Sequence, residues 1–371
     1  MRLKFQCPNC GTPLGYKGLC WKCKAEQERR ESLAWTPEEI AERQQSILRN
    51  IHTLEKMEDP EFTTFWNLLS YHNAISPEIQ RKALEEKIYY PSEIYYHAPA
   101  NVRDGLISAV LYTNDANEAA NLMSCLAMQG DEKALETLLE LEKNPRPWRA
   151  NLYVDPSVYA QSGGWTFDKE GHRQILCFDT CYPMVKGASK EVSPVRIGRL
   201  RGDICPHCGG PMVDMLVLDG RDDRLKFLGI DGILTAACCP NCVGFQEGPA
   251  FNRFTLNGGV EFLPSRLFDG EEKMENYFHA EDYALLSGNS LVLANKPVPL
   301  FYGASCEDVN TIGGFANWVQ DWEYSICPDC GKPMKYLAQI QWSTVMENAE
   351  GTLYIEVCPD CNIVSMQHQQ T

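Results

Sequence analysis

Twelve of the chain's seventeen cysteines fall into six C-x-x-C pairs, an arrangement that constrains the fold more than any other feature of the sequence. The pairs match in order: Cys7/Cys10 with Cys20/Cys23, Cys205/Cys208 with Cys239/Cys242, and Cys327/Cys330 with Cys358/Cys361. In a C-P-x-C-G turn both thiolates face one point, and the glycine lets backbone N–H groups approach sulfur. Two such turns make a tetrahedral site in which four thiolates at ~2.3 Å leave no open position, the mark of a structural rather than a catalytic metal. The expectation is three structural Zn(2+) sites. Iron in a rubredoxin-like site uses the same ligands and stays open at this stage. Redox C-x-x-C motifs occur singly at a helix start after a strand, whereas these come as matched pairs in β-rich surroundings.

The last two sites belong to an internal repeat. Cys205-Pro206-His207-Cys208-Gly209-Gly210-Pro211-Met212 recurs as Cys327-Pro328-Asp329-Cys330-Gly331-Lys332-Pro333-Met334. Each copy is closed by a second turn, Cys239-Pro240-Asn241-Cys242 and Cys358-Pro359-Asp360-Cys361. That alignment makes Cys239 the ligand and Cys238 a spare. Cys125, Cys177, Cys181 and Cys306 also lack partners and read as buried thiols, with Cys177-x3-Cys181 as an alternative half-site. His207 reads as a surface residue.

The first 30 residues are too few to bury a core, so the ribbon at 1–30 has to take its folding energy from metal. Residues 36–147 carry repeated helix starts: Thr36-Pro37-Glu38-Glu39, Asp59-Pro60, Ser76-Pro77, and Asp115 with Glu118. Apolar residues follow at helical spacing, among them Ile40, Ile47, Leu48, Ile51 and Leu54, then Phe62, Phe65, Trp66 and Leu69. After Pro145-Arg146-Pro147 the pattern turns to short β-rich runs, which places a boundary at 147. The fold class expected is therefore α+β: an N-terminal zinc ribbon (1–30), a helical array (36–147), and a duplicated β-rich zinc-binding module with its copies in 148–299 and 300–371.

No apolar run approaches the ~20 residues of a membrane span, and the first residues lack a signal peptide's apolar core, so the expected location is cytoplasmic. The net charge of -16 disfavours nonspecific nucleic-acid binding and favours a basic partner protein. Residues 1–35 are the exception, with seven Lys/Arg against three Glu; a nucleic-acid contact fits only there. G-x-S-x-G, H-E-x-x-H and phosphate-binding glycine motifs are absent, and the seven histidines are scattered, so the expectation is a protein without catalysis.

Ile312-Gly313-Gly314-Phe315-Ala316-Asn317-Trp318 precedes the second repeat, Leu337-Ala338-Gln339 follows its first knuckle, and Gly351-Thr352-Leu353-Tyr354-Ile355 leads to its last. This order resembles the YwqG-like and programmed-cell-death-protein-2-like families, sometimes grouped as TYPP domains. The resemblance covers residues 300–371 well and 195–245 weakly; Ala316 stands where the family usually has proline, and the first copy lacks the second glycine and the tryptophan. It implies a zinc-closed domain that handles proteins: an immunity-type inhibitor of a basic, nuclease-like toxin or, alternatively, a chaperone-like carrier of a basic client such as a ribosomal protein. Gly313, Gly314, Trp318 and Gln339 are the partner-binding residues it suggests. To these the charge pattern adds Glu347 and Glu350, part of an acidic set with Glu307, Asp308, Asp321, Glu323, Asp329, Glu356 and Asp360.

Overall fold

The computed structural model describes residues 5–187, 193–304, 309–346 and 349–370. The chain is α+β and forms two compact units, Met1–Pro91 and Ser92–Thr371.

In the first unit a short hairpin, β1 (Phe5–Gln6) and β2 (Pro13–Leu14), leads into helices α1 (Trp21–Leu33), α2 (Pro37–Arg49), α3 (Pro60–His72) and α4 (Pro77–Glu85). Three of these begin at caps written in the sequence. Thr36 accepts from the Glu39 N–H while Glu39 accepts in return from the Thr36 N–H, a complete capping box; Asp59 and Ser76 cap α3 and α4. Ile47, Ile51, Leu54, Phe65 and Leu69 form the buried stripe between these helices, and Phe62 meets Trp66 edge-on at 6.3 Å.

The second unit starts with α5 (Ala100–Tyr112), α6 (Ala116–Gln129), α7 (Glu132–Lys143) and α8 (Pro156–Ala160). Asp115 caps α6, but the reciprocal half of its box is missing because Glu118 accepts from the Thr113 hydroxyl instead. These helices pack with strands of the same unit. Trp165 donates its indole N–H to the Ala127 carbonyl (2.8 Å), Arg173 reaches the Gly130 carbonyl (2.9 Å), and Trp322 reaches the Val158 carbonyl (2.9 Å). Trp148, directly after the Pro-Arg-Pro segment, is itself buried. The compact units therefore divide at 91/92, and position 147, where the residue pattern changes, lies inside the second of them.

Strands β3 (Trp165–Phe167) and β4 (Arg173–Ile175) form a hairpin. The others build two antiparallel sheets. β6 (Val195–Arg196) and β7 (Arg199–Ile204) share one edge of β8 (Pro211–Asp219), whose other edge pairs with β9 (Ile233–Cys238). The larger sheet runs β11 (Val260–Phe262), β10 (Ala250–Phe254), β16 (Ile363–Gln369), β15 (Thr352–Cys358), β14 (Lys335–Gln341), β13 (Asn310–Gly314), β5 (Phe178–Lys186), β12 (Leu291–Leu293). Segment 148–299 thus lends four strands to the sheet that carries the second repeat, so the two copies interlock rather than stand side by side. One core holds both, with Met215, Leu216, Leu234 and Ala236 from the smaller sheet packed with Leu337, Ile340, Leu353 and Ile355 from the larger.

The duplication extends to register. In the β8–β9 hairpin Val213 faces Cys238 and the pairing shifts between Asp214 and Leu216; in the β14–β15 hairpin Lys335 faces Val357 and the pairing shifts between Tyr336 and Ala338. These are equivalent positions of the repeat, so one β-bulged hairpin has been copied whole. Among the described residues no helix is long and apolar enough to cross a membrane.

Candidate metal centres

The three opening knuckles share one backbone pattern. Cys7 N–H donates to Thr12 O (2.8 Å) and Gly11 N–H to Cys7 O (2.9 Å); the same pair of bonds links Cys205 with Gly210 and Gly209, and Cys327 with Lys332 and Gly331. Each glycine sits in the left-handed region, at φ of 77°, 71° and 70°, with open space where a Cβ would stand. The glycine is there for its backbone conformation alone.

Each closing pair follows its own element. Cys239 and Cys242 come directly after β9, and Cys358 ends β15. Cys20 is the N-cap of α1 and its side chain accepts from the Cys23 N–H, so this closing pair lies at the start of a helix. Here the sequence expectation of β-rich surroundings is replaced by a helix start, the position that also serves redox C-x-x-C pairs; the metal reading of this pair rests on its meeting Cys7 and Cys10.

All twelve sulfurs expected as ligands come together in fours, within 4.8 Å of one another in each group. Recorded sulfur–sulfur approaches are 3.5 Å for Cys10–Cys20, 3.6 Å for Cys205–Cys242, 3.5 Å for Cys208–Cys239 and 3.8 Å for Cys330–Cys358. Four thiolates at ~2.3 Å from one cation would sit about 3.8 Å apart at tetrahedral angles. The observed spacings fit that geometry, and the cysteines are free, not disulfide-bonded. No histidine or carboxylate joins these clusters among the described residues. His207, half-buried rather than on the surface, is engaged elsewhere: one ring nitrogen lies 3.3 Å from Glu272 O and the other 3.2 Å from Ser265 Oγ.

The electrostatics also call for a cation. Burial raises Cys7, but backbone hydrogen bonds from Cys20, Cys10 and Asn9 outweigh it and bring its thiol down to about 6. The neighbouring thiols of Cys239 and Cys242 lower Cys205, and its thiolate in turn pushes Cys239 far above the ordinary range and Cys242 up to about 12. Four clustered thiols left to themselves can ionise only at one another's expense. A divalent cation removes the conflict, so the donor set, its spacing and its charge all suit a four-sulfur metal site.

The remaining thiols stand apart. Cys177 is buried with its sulfur 3.4 Å from the Tyr324 hydroxyl, and burial pushes Cys177 and Cys181 each up to about 12. Neither belongs to a metal group among the described residues. Cys306 lies outside the described residues. A fourth group, Asp168, Glu170 and His172, shares the β3–β4 turn, where Asp168 is occupied in accepting the Glu170 and His172 N–H groups (3.0 and 2.8 Å).

The residues expected to meet a partner lie mostly inside. Gly313 and Gly314 are buried in β13 at φ of 73° and 71°; a Cβ would approach Thr180 O to 2.1 Å at the first and Leu300 O to 2.5 Å at the second. Gln339 is fully buried. Its amide accepts from the Asn317 N–H (2.8 Å) and the Tyr336 hydroxyl (3.2 Å) and donates to Gly303 O (3.0 Å) and Val309 O (2.8 Å), so it has nothing left for a partner. Trp318, half-buried, packs 4.4 Å from Tyr354 and 5.5 Å from Tyr324. These side chains assemble the second repeat.

The acidic set needs a similar correction. Glu356 is fully buried, accepts from the Ser325 N–H (2.8 Å) and the Ser365 hydroxyl (3.0 Å), and is pushed up to about 7 by burial. Asp329 pairs with Arg253 at 2.8 Å and Asp360 with Lys332 at 3.8 Å. Asp321, Glu323 and Glu350 remain exposed; Glu307, Asp308 and Glu347 lie outside the described residues.

The chain is 30% identical over 292 residues to a protein of Salmonella typhimurium described as uncharacterized protein YpfL, a match spanning 77% of this chain and 67% of that one. No family model and no solved structure matches it.

Proposed function

Since the chain belongs to the same family as YpfL, we propose for it a role as a zinc protein without catalysis that acts by binding another protein, most simply as an immunity-type inhibitor of a basic, nuclease-like toxin. The observation that carries the first half is the closure of the three sulfur clusters: four thiolates each, with no place for water or substrate on the metal. Zinc is the ion these sites suit best, because it needs no redox partner and accepts tetrahedral sulfur without distortion. Free thiols throughout the described residues suit a reducing compartment such as the cytoplasm. The resemblance of the second repeat to TYPP domains supports protein handling.

The net charge of -16 supports a basic partner. The exposed acids Asp321, Glu323 and Glu350 are those of the second repeat that no ion pair occupies among the described residues. The test is capture of the partner from the native host by the tagged chain, followed by stopped-flow association at low and high salt. Association should slow markedly as salt rises and on the triple change Asp321→Lys, Glu323→Lys, Glu350→Lys, while metal content stays constant. Inhibition of the captured protein's nuclease activity supports immunity. Protection of a ribosomal protein from aggregation would replace immunity by the carrier role, and rates indifferent to salt and to charge reversal would remove the acidic surface from the reading.

A further inference from the structure

The N-terminal ribbon inverts the charge of the rest of the chain. Residues 1–24 hold Arg2, Lys4, Lys17, Lys22 and Lys24 and no acidic residue, against a net charge of -16 overall. Four thiolates around one divalent cation leave a formal charge of about −2, so the five basic residues keep the ribbon cationic with its metal in place. Acidic residues begin in α1, and those there are engaged: Glu28 with Lys24 (3.6 Å), Glu26 with Arg29 and Arg30, and Glu31 with Gln27 (2.8 Å). Lys17 and Lys22 are exposed and enter no ion pair among the described residues, outside which Arg2 and Lys4 lie.

Aromatic side chains stand among these cations. Phe5, Tyr16 and Trp21 are 42%, 53% and 57% exposed. The residues that pack with the ribbon's cysteines are Leu14 and Leu19, so the rings are not its core. They border the turns that enclose the Cys7 cluster: Phe5 pairs with Leu14 across the β1–β2 hairpin, the Tyr16 hydroxyl donates to Leu19 O (3.0 Å), and Trp21 opens α1 directly after Cys20. Lys22 Nζ lies 5.3 Å from the centre of the Trp21 ring.

From this interleaving of open rings and lysines we infer that the ribbon is a docking surface for single-stranded nucleic acid, with bases stacked on Trp21 and Tyr16 and phosphates met by Lys17 and Lys22. A single strand offers a flat π-face for each ring and an anion for each ammonium, whereas a duplex hides the first and a chain of carboxylates lacks it. The inference goes beyond the toxin or carrier role and is independent of it, because it rests on the ribbon and not on the acidic second repeat.

The test measures fluorescence anisotropy of labelled twelve-nucleotide oligo(dT) and oligo(rU) with the full metal-loaded chain. Affinity should fall roughly tenfold between about 50 and 200 mM salt, as for about two to three phosphates held on a single strand. Lys17→Glu with Lys22→Glu should remove most of that dependence and weaken binding at low salt by about tenfold or more. Trp21→Lys separates stacking from charge, since it adds a cation and removes a ring; it should weaken binding about tenfold with metal content unchanged. Trp21→Leu takes its place where metal content falls. Binding strengthened by Trp21→Lys, binding indifferent to the lysine reversals, equal competition by polyglutamate of the same charge, a preference for the duplex, or no binding at low salt would each overturn the inference. The tighter of the two single strands assigns the natural one as RNA or DNA, and equal affinity supports a surface that ignores the 2′-hydroxyl.

Discussion

Cys238 and Val357 hold the same place in the two copies of the repeat: each immediately precedes the first cysteine of a closing knuckle, and each points into the core shared by the two sheets. Cys238 is therefore the thiol counterpart of a core valine, next door to a ligand but facing away from the metal. Cys238→Val should change stability by less than about 1.5 kcal/mol, as volume-conserving core changes do. Cys330→Ser should cost several times that, because it breaks a four-sulfur site joining two turns. Melting temperatures of both variants decide this, and equal losses would mean that Cys238 is a ligand.

Each chain should carry three zinc ions. Elemental analysis of protein purified without added metal checks this; one ion or fewer, or the colour of iron, would contradict it. Chelation should first release the N-terminal ribbon, whose apolar cluster among the described residues adds just Leu14 and Leu19 to its cysteines. Amide exchange would then accelerate at Gly11 and Lys24 before it does at Gly209 and Gly331.

Asn252 is fully buried on β10 and bonds the facing strand of the other sheet twice, accepting from the Ala237 N–H (2.8 Å) and donating to Thr235 O (3.0 Å). Asn252→Leu should cost roughly 3 kcal/mol, the penalty of two stranded backbone groups. Thermal or denaturant unfolding measures it, and a neutral substitution would mean that the two sheets are held by apolar packing alone.

Asp131 supplies a pH dependence. Burial alone would raise its carboxyl, but the Arg103 guanidinium and the Ala134 N–H at the start of α7 hold it below the ordinary value. As pH falls, the unfolded chain takes up this proton first. The stabilisation is present above the ordinary carboxylate range, near pH 4, and is lost as pH drops through the lower folded value. Asp131→Asn keeps a capping oxygen and removes the charge. It should lose about 1 kcal/mol at neutral pH, the carboxylate being partly open to solvent, and little at pH 2. A loss that is the same at both pH values would assign the residue's role to capping alone.

The metal clusters were legible because their information is local: spacing within each knuckle and its repetition need no knowledge of the rest of the chain. The caps at Thr36, Asp59 and Ser76 were legible for the same reason. The partners of β5, β10, β11 and β12 were not, since strand pairing between distant segments leaves no mark in either segment. Gln339 and Glu356 were misjudged as available polar groups because β14 and β15 are covered on both faces, so the alternation that marks a solvent side is missing.

The placement of β10 beside β16 has a consequence for how the protein comes into being. During vectorial synthesis the first repeat's four cysteines emerge early, yet the hairpin that packs against them finds its neighbour only when residues 363–369 leave the ribosome. At about 5–20 residues per second, Phe251 and the apolar edge of β10 wait unpaired for several seconds. Zinc that reaches Cys205, Cys208, Cys239 and Cys242 in that interval would clamp the nascent hairpin before its strand arrives. Metal supply thereby becomes a determinant of yield as well as of stability, with scarcity during translation exposing an aggregation-prone edge that the finished protein never presents.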